Sequence, residues 1–237
     1  MTLHLPVRRG GGWGNSNREH RCLESNSSGR RGVLVGDARI AACRTRLGRR
    51  SGGRIRVNLY LVRHGETAHN RDGVGLGRHD EPLTDLGRAQ AAAVADQFRG
   101  VRLDRVLASP LSRASDTARA IADGARLDLE IRNELIEMDI GLTEGLAFPA
   151  VRERFPEFMA AWAGPGVAAA VMPGGESLED VALRLVPLLG ELRGFPPESG
   201  VAVVSHNFVI KVLLCSLLNV DLAIFRSFEI GLASVST

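Results

Sequence analysis

Residues 59 to 67, Leu59-Tyr60-Leu61-Val62-Arg63-His64-Gly65-Glu66-Thr67, decide the fold of this chain. A short apolar run carries an arginine and a histidine side by side into a glycine turn. A run that is apolar throughout is typical of a strand buried on both faces of a parallel sheet. The residues after such a strand lie at its carboxyl end, where open α/β sheets bind their ligands. Arg63 and His64 are therefore candidates for a ligand site.

Two further apolar runs end in the same way. They are Val106-Leu107-Ala108, followed by Ser109-Pro110-Leu111-Ser112-Arg113, and Val201-Ala202-Val203-Val204, followed by Ser205-His206. Pro110 suits the first turn of a helix, which would place Arg113 just inside that helix. If the strands are neighbours, Arg63, His64, Arg113 and His206 converge at one edge of one sheet. Helix amino termini at that edge favour an anion.

The chemistry of these residue types suggests phosphoryl transfer. A neutral imidazole can attack a phosphoryl group near neutral pH, because its ordinary pKa is about 6.5. His64 is the candidate nucleophile, since Arg63 precedes it on the same strand end. Guanidinium groups compensate the charge on phosphate oxygens in a bidentate manner, so Arg63 and Arg113 would form a clamp. His206 would donate to a phosphate oxygen and stabilise the transition state.

Together these elements resemble the phosphatase branch of the histidine phosphatase (phosphoglycerate mutase-like) superfamily. The matching elements, in the family's order, are Arg63 to Thr67 with Asn70 downstream, Pro82-Leu83-Thr84 through Gly87 to Gln90, Ser109 to Arg113, Leu135 to Gly145, and Ser205-His206. The resemblance covers residues 57 to 237 and implies a phosphohistidine intermediate. Three positions depart from common family residues, namely Leu76, Thr143 and Asn207, and none of the departures removes a catalytic group.

An alkoxide leaving group needs a proton, so a carboxylic acid should face the phosphate from the side opposite the nucleophile. The resemblance assigns this role to Glu137, which follows a strand predicted around residues 129 to 131. Burial and the nearby phosphate charge would raise its pKa. Glu66 is the rival, although its place in the tight turn favours a structural role. Asn70, which matches the family's asparagine, and Asn207 are further candidates for substrate contact.

Predicted helices alternate with the apolar runs, which indicates an α/β fold. The helices are expected at about residues 84 to 98, 110 to 122 and 178 to 192, the last with Ser177 as its N-cap and Asp180 completing a capping box. We therefore predict a three-layer α/β/α sandwich with a mostly parallel central sheet. Residues 148 to 171 have helical stretches and little strand signal, which suggests a small cap insertion. Phe155, Phe158 and Trp162 would then shape specificity.

Composition divides the chain near residue 56. Residues 1 to 56 contain thirteen arginines, no lysine and three acidic residues, a formal charge of +10, so the rest carries −7 of the net +3. This Arg- and Gly-rich extension is expected to be mostly disordered and is open to question as native sequence. Residues 57 to 237 form the predicted domain, which ends early by comparison with the family. The extension lacks interleaved aromatics, which argues against a nucleic-acid partner.

The remaining features bear on location and cofactors. No apolar run is long enough for a signal peptide or a membrane span, so we expect no membrane partner. Cys22, Cys43 and Cys215 are far apart, which indicates a reducing cytoplasm rather than a disulfide framework. Neither a His-Glu-x-x-His helix nor a Cys-x-x-Cys pair occurs, so we predict no metal and no cofactor.

The sequence thus predicts a phosphomonoester hydrolase that acts on a small phosphorylated substrate through a phosphohistidine. Phosphoglycerate mutase is the alternative enzyme. It ranks lower because the segment between Arg113 and Glu137 is short and lacks the Glu-Arg-His-Tyr-Gly element typical of cofactor-dependent mutases. The alternative from another class is a non-catalytic phosphate-binding or scaffold protein. Intact candidate residues at every catalytic position argue against that alternative.

Overall fold

The computed structural model describes residues 56 to 237, so nearly all of the predicted extension lies outside the described residues. The strands are β1 (Asn58–Arg63), β2 (Arg105–Ala108), β3 (Leu129–Ile131), β4 (Gly200–Ser205) and β5 (Val235–Ser236). The α helices are α1 (Ala68–Asp72), α2 (Asp85–Gln97), α3 (Ser112–Ala125), α4 (Phe148–Arg154), α5 (Pro156–Ala163), α6 (Leu178–Gly194) and α7 (Asn207–Leu218). Short 3₁₀ turns occupy Asn133–Leu135, Gly141–Thr143, Val167–Ala169 and Leu222–Ser227.

The five strands form one sheet in the order β3-β2-β4-β1-β5. The first four are mutually parallel, and β5 pairs antiparallel with β1 at the edge. The register pairs Arg63 of β1 with Ser205 of β4. His64 and His206 are therefore the next residues along two neighbouring parallel strands, and both emerge from the sheet at the same level.

Alternate residues of the strands build two separate apolar layers. Leu61, Leu107 and Val203 belong to a cluster with buried residues of α6 and α7. Val62 and Val204 belong to the other cluster, which contains buried residues of α2 and α3. Because successive side chains of a strand point to opposite faces, each buried strand serves both layers. The predicted three-layer α/β/α sandwich with a mostly parallel sheet is confirmed.

The helix boundaries agree with the sequence pattern, with one local correction. Thr84 caps α2, and Ser177 with Asp180 forms the expected capping box at α6. Pro110, however, does not lie in the first turn of α3: Leu111 is the N-cap and Ser112 the first helical residue. Leu111 has extended backbone angles, so the chain turns into the helix one residue after the proline.

The predicted cap comprises α4, α5 and the 3₁₀ turn Val167–Ala169, joined by short non-helical links. Trp162 of α5 anchors it by an edge contact with Phe225 at 5.5 Å between ring centroids and with Phe208 at 6.0 Å. Within residues 56 to 237, no helix is both long and apolar enough to cross a bilayer.

Candidate active site

His64 is almost fully buried in the turn that follows β1. Its Nδ1 lies 2.7 Å from the carbonyl oxygen of Gly65. A carbonyl can only accept, so Nδ1 carries the proton and Nε2 keeps a free lone pair. Burial, together with the charges of Arg113 and Arg63, lowers the pKa of His64 to about 3. The imidazole is therefore neutral and nucleophilic at Nε2 near pH 7.

Close backbone contacts hold the turn that carries His64. A Cβ added to Gly65 would lie 2.4 Å from the carbonyl oxygen of Gly87 in α2, so only glycine permits this approach. The N–H of Gly65 donates to Thr117 Oγ1, and the N–H of Glu66 donates to Gln90 Oε1. Helices α2 and α3 thus position His64 from one face of the sheet.

Arg113 is fully buried in the first turn of α3. Its two terminal nitrogens donate to the carbonyl oxygens of His79 and Gly77, at 2.8 and 2.6 Å. Arg63, the last residue of β1, donates from one terminal nitrogen to the carbonyl oxygen of Ile230 at 2.7 Å. In each guanidinium, the buried Nε–H makes no hydrogen bond within the described chain.

His206 is the N-cap residue of α7 and is completely buried. Its ring centroid lies 5.0 Å from that of His64. Nε2 is 2.7 Å from Ser109 Oγ, whereas Nδ1 is buried without a partner among the described residues. Ser109 Oγ also accepts from the N–H of Leu111, and its hydroxyl proton is available for donation to His206 Nε2. In that arrangement Nδ1 carries a proton and is a free donor.

Three buried nitrogens near His64 therefore have no hydrogen-bond partner in the described chain: Nε of Arg63, Nε of Arg113 and Nδ1 of His206. The charges of both arginines act on both histidines, so all four groups lie close together. Buried polar groups in native proteins are almost always hydrogen-bonded, so each unpartnered donor requires an explanation. An anion with several acceptor oxygens, such as a phosphate group, satisfies these donors at once.

Glu137 is fully buried next to the same cluster. Its Oε1 accepts from the N–H of Met138 at 2.8 Å, and its Oε2 from the N–H of Phe208 at 3.3 Å. Burial raises the pKa of the carboxyl group, although these hydrogen bonds and the charges of Arg113 and Arg63 partly oppose the shift. A carboxyl group with a raised pKa can remain protonated near neutral pH and donate its proton.

Sequence reasoning missed a third arginine that supports this carboxyl group. Arg184 of α6 donates to the carbonyl oxygens of Glu134 and Ile136, the latter at 2.6 Å. Arg184 thereby fixes the backbone immediately before Glu137, and its charge also acts on that carboxylate. Only its position on the predicted helix was visible in the sequence. Nothing in a helical pattern identifies one arginine as buried.

A second missed group is Glu144, which supports Arg113 indirectly. Its carboxylate accepts the N–H groups of Gly77, Arg78 and His79, the first at 2.6 Å. The carbonyl groups of the same short loop accept from Arg113. Ser109 is the third such group, because it fixes His206. Ser109 and Glu144 lie inside motifs quoted from the sequence and Arg184 lies in a predicted helix, but the partners of all three are distant along the chain.

The other predicted site residues occupy more peripheral places. Asn70 completes the capping box of α1, where its Oδ1 faces the N–H and Oγ1 of Thr67. Its Nδ2 makes no hydrogen bond within residues 56 to 237 and is free for a ligand. Asn207 is the first residue of α7, directly after His206. The carboxylate of Glu66 accepts from Thr84 Oγ1 at 2.9 Å, a contact that joins the turn to α2.

In the part of the chain that the structure describes, no group of three or more His, Cys, Asp or Glu residues has a geometry that could hold a metal ion.

Comparisons with known proteins identify the class to which this fold and site belong. The family model of the histidine phosphatase superfamily (branch 1) matches residues 59–237. The chain therefore belongs to the histidine phosphatase superfamily. It is 36% identical over 180 residues to phosphoserine phosphatase 1 of Hydrogenobacter thermophilus, a match that covers 76% of this chain and 85% of that protein.

Two further relatives extend the comparison. The chain is 29% identical over 180 residues to an Enterobacter protein named "Probable phosphoglycerate mutase GpmB", across 76% of this chain and 83% of the other. The structure of a mycobacterial glucosyl-3-phosphoglycerate phosphatase complexed with VO3 superposes with a TM-score of 0.67 at 32% identity, across 75% of this chain and 90% of that one. The predicted class, a phosphoric monoester hydrolase of this superfamily, is confirmed, and the mutase alternative is less supported.

Proposed function

We propose that this phosphatase hydrolyses small phosphorylated metabolites through a phosphohistidine formed on His64. The observation that carries the proposal is the cluster of three buried, unpartnered nitrogens near an imidazole whose Nε2 is unprotonated. The scattered cysteines further favour a reducing cytoplasmic location for the enzyme.

In the first step, His64 Nε2 attacks phosphorus while the bond from phosphorus to the alcohol oxygen breaks. Arg63, Arg113 and His206 donate to the equatorial oxygens, where negative charge is greatest. The imidazole gains positive character, and the Gly65 carbonyl that accepts from Nδ1–H stabilises it. Glu137 transfers its proton to the departing alkoxide, which leaves as a neutral alcohol.

In the second step, the ionised Glu137 accepts a proton from a water molecule that attacks the phosphohistidine. The bond between phosphorus and His64 Nε2 breaks, inorganic phosphate is released, and both side chains return to their starting protonation states. Asn70 Nδ2 and Asn207, at the amino end of α7, are proposed to contact the phosphate or the alcohol portion of the substrate.

Trapping of the intermediate tests the proposal. Brief incubation of the wild-type protein with a ³²P-labelled aryl phosphate should give a phosphoprotein that is labile in acid and stable in base. His64→Ala should form no label and show no turnover. His69→Ala is the matched control, because His69 pairs with Glu81 outside the donor cluster, and it should label normally. Normal turnover by His64→Ala would contradict the nucleophile assignment.

Product analysis separates hydrolysis from the mutase alternative. With 3-phosphoglycerate as substrate, a phosphatase releases inorganic phosphate and glycerate, whereas a mutase accumulates 2-phosphoglycerate. We expect any turnover of this compound to yield inorganic phosphate. Isomerisation faster than hydrolysis would favour the mutase.

A further inference from the structure

An apolar cavity of about 350 Å³ lies between the cap and the body of the protein. Phe148 and Val151 of α4 and Phe158, Met159 and Trp162 of α5 form its cap side. Its body side includes Gly75, Ile140, Thr143, Met172 and Phe208. The volume is within the range of small-molecule sites. Phe155, which was predicted to shape specificity with Phe158 and Trp162, does not line the cavity.

The cavity borders the proposed acid. The N–H of Phe208 donates to Glu137 Oε2, and the side chain of Phe208 lines the cavity. Ile140, three residues after Glu137, lines it as well. An acid that protonates a leaving group must lie within hydrogen-bond distance of the leaving oxygen. The remainder of the leaving alcohol must therefore extend away from Glu137. Glu137 itself does not line the cavity, but Phe208, whose N–H contacts the Glu137 carboxylate, does.

The lining offers almost nothing to a charged or strongly polar group. Among the described residues that line the cavity, none carries a charge, and the polar side-chain groups are the hydroxyl of Thr143 and the indole N–H of Trp162. The hydroxyl of Thr143 already donates to the carbonyl oxygen of Ile140 at 2.7 Å. A carboxylate or ammonium placed here would lose its water without gaining a partner of opposite charge, which is costly.

We propose that this cavity binds the alcohol portion of the substrate, and that the preferred substrates are phosphomonoesters of apolar alcohols rather than of charged metabolites. The proposal rests on the proposed phosphatase function and specifies its substrate class. Phosphoserine, the compound named in one relative, carries an ammonium and a carboxylate close to the ester oxygen. Among its described lining residues, this cavity provides no side chain of opposite charge for either group.

A series of alkyl phosphates tests the proposal without any mutation. Ethyl, butyl and hexyl phosphate share the reacting phosphate and release alcohols of nearly equal acidity, so they differ mainly in apolar surface. Each buried methylene should raise kcat/KM about fourfold. The kcat/KM for hexyl phosphate should therefore exceed that for ethyl phosphate by about 200-fold if the chain is fully buried, and by about tenfold or more if it is partly buried. Phosphoserine should be hydrolysed no faster than ethyl phosphate. A flat series, or a preference for phosphoserine, would overturn the proposal.

A pair of variants locates the effect in the cavity. Met159→Arg places a cation in the lining and should reduce the ratio of kcat/KM for hexyl over ethyl phosphate by at least about tenfold. Leu183→Arg makes the same kind of change on the exposed side of α6, where Leu183 is 73% exposed, and should change the ratio by less than about twofold. An unchanged ratio in Met159→Arg would place the alcohol elsewhere and overturn the proposal.

A binding measurement separates failure of this inference from failure of the proposed function. Hexylphosphonate and ethylphosphonate cannot be hydrolysed, and their dissociation constants for the wild-type protein can be compared by calorimetry. Tighter binding of hexylphosphonate by at least about tenfold, without turnover of any phosphate ester, would support the cavity assignment and refute the phosphatase function. Turnover combined with equal binding of the two phosphonates would refute the cavity assignment alone.

Discussion

Glu137→Gln tests whether the buried carboxyl group is an acid or only part of the electrostatic environment. The replacement keeps the shape of the side chain but cannot donate a proton readily. Its amide oxygen can still accept from the N–H of Met138 at the 2.8 Å contact, whereas its NH₂ group then faces the N–H of Phe208. One long hydrogen bond is lost, which should lower the free energy of unfolding by only about 1 kcal/mol.

The catalytic effect should depend on the leaving group. With hexyl phosphate, single-turnover phosphorylation of His64 should slow by about 10² to 10⁴, because an alkoxide cannot leave without a proton. With 4-nitrophenyl phosphate the leaving group is stable as an anion, so phosphorylation should slow by less than about tenfold. Hydrolysis of the phosphohistidine would then limit turnover, since Glu137 also activates water. The phosphoprotein should accumulate in the variant.

Rapid-quench measurement of the labelled protein and of released phosphate distinguishes these steps. Glu66→Gln is the matched control, because the carboxylate of Glu66 accepts from Thr84 Oγ1, and we expect no leaving-group dependence there. Equal slowing on both substrates in Glu137→Gln would refute the reasoning. The acid would then have to be sought at Glu66 or Glu144.

Three further predictions concern the framework of the site. Below pH 6.5 the unfolded chain binds a proton at His64 that the folded protein, with a pKa of about 3, does not bind, so stability is lost as the pH falls from about 6.5 toward 3. The free energy of unfolding, measured by urea titration, should fall between pH 6 and pH 4 in the wild-type protein more steeply than in His64→Ala. The difference in slope should be about 1.4 kcal/mol per pH unit. Equal slopes would contradict a neutral buried imidazole. Gly87→Ala should lower the free energy of unfolding, measured by chemical denaturation, by about 1 to 3 kcal/mol, because the new Cβ would lie 2.1 Å from the carbonyl oxygen of Glu66. Gly124→Ala in α3 is the control. Its Cβ meets nothing within 4 Å, and the replacement should raise the free energy of unfolding by about 0.5 to 1 kcal/mol. Arg184→Lys should lower the free energy of unfolding by about 1.5 to 3 kcal/mol, because lysine cannot bridge the two carbonyl groups before Glu137. The variant should also slow the hydrolysis of alkyl phosphates more than that of aryl phosphates. Identical effects on both substrates would limit Arg184 to a structural role.

The sequence by itself determined the sheet, its layers and the identity of the central side chains. Apolar runs predicted β1, β2 and β4, and parallel strands necessarily present their carboxyl ends at one edge. His64 and His206 follow those ends directly and Arg113 lies at the start of the helix after β2, so the sequence placed all three at one edge, whereas the strand order that makes β2, β4 and β1 neighbours came from the tertiary structure. The adjacency of the two histidines depends on the pairing of β1 with β4, in which Arg63 lies opposite Ser205, and a strand buried at every position does not set this register by its sequence pattern.

Tertiary structure alone decided how these groups are prepared for chemistry. The free Nδ1 of His206 depends on Ser109, which is 97 residues away along the chain. Arg184 reaches Glu134 across 50 residues, and Glu144 reaches Gly77 across 67. The apolar cavity likewise depends on where the cap packs. Burial, tautomers and pKa shifts arise from groups that only packing brings together. A local sequence pattern indicates whether a segment is a helix or a strand, but it does not indicate which distant residues that segment contacts.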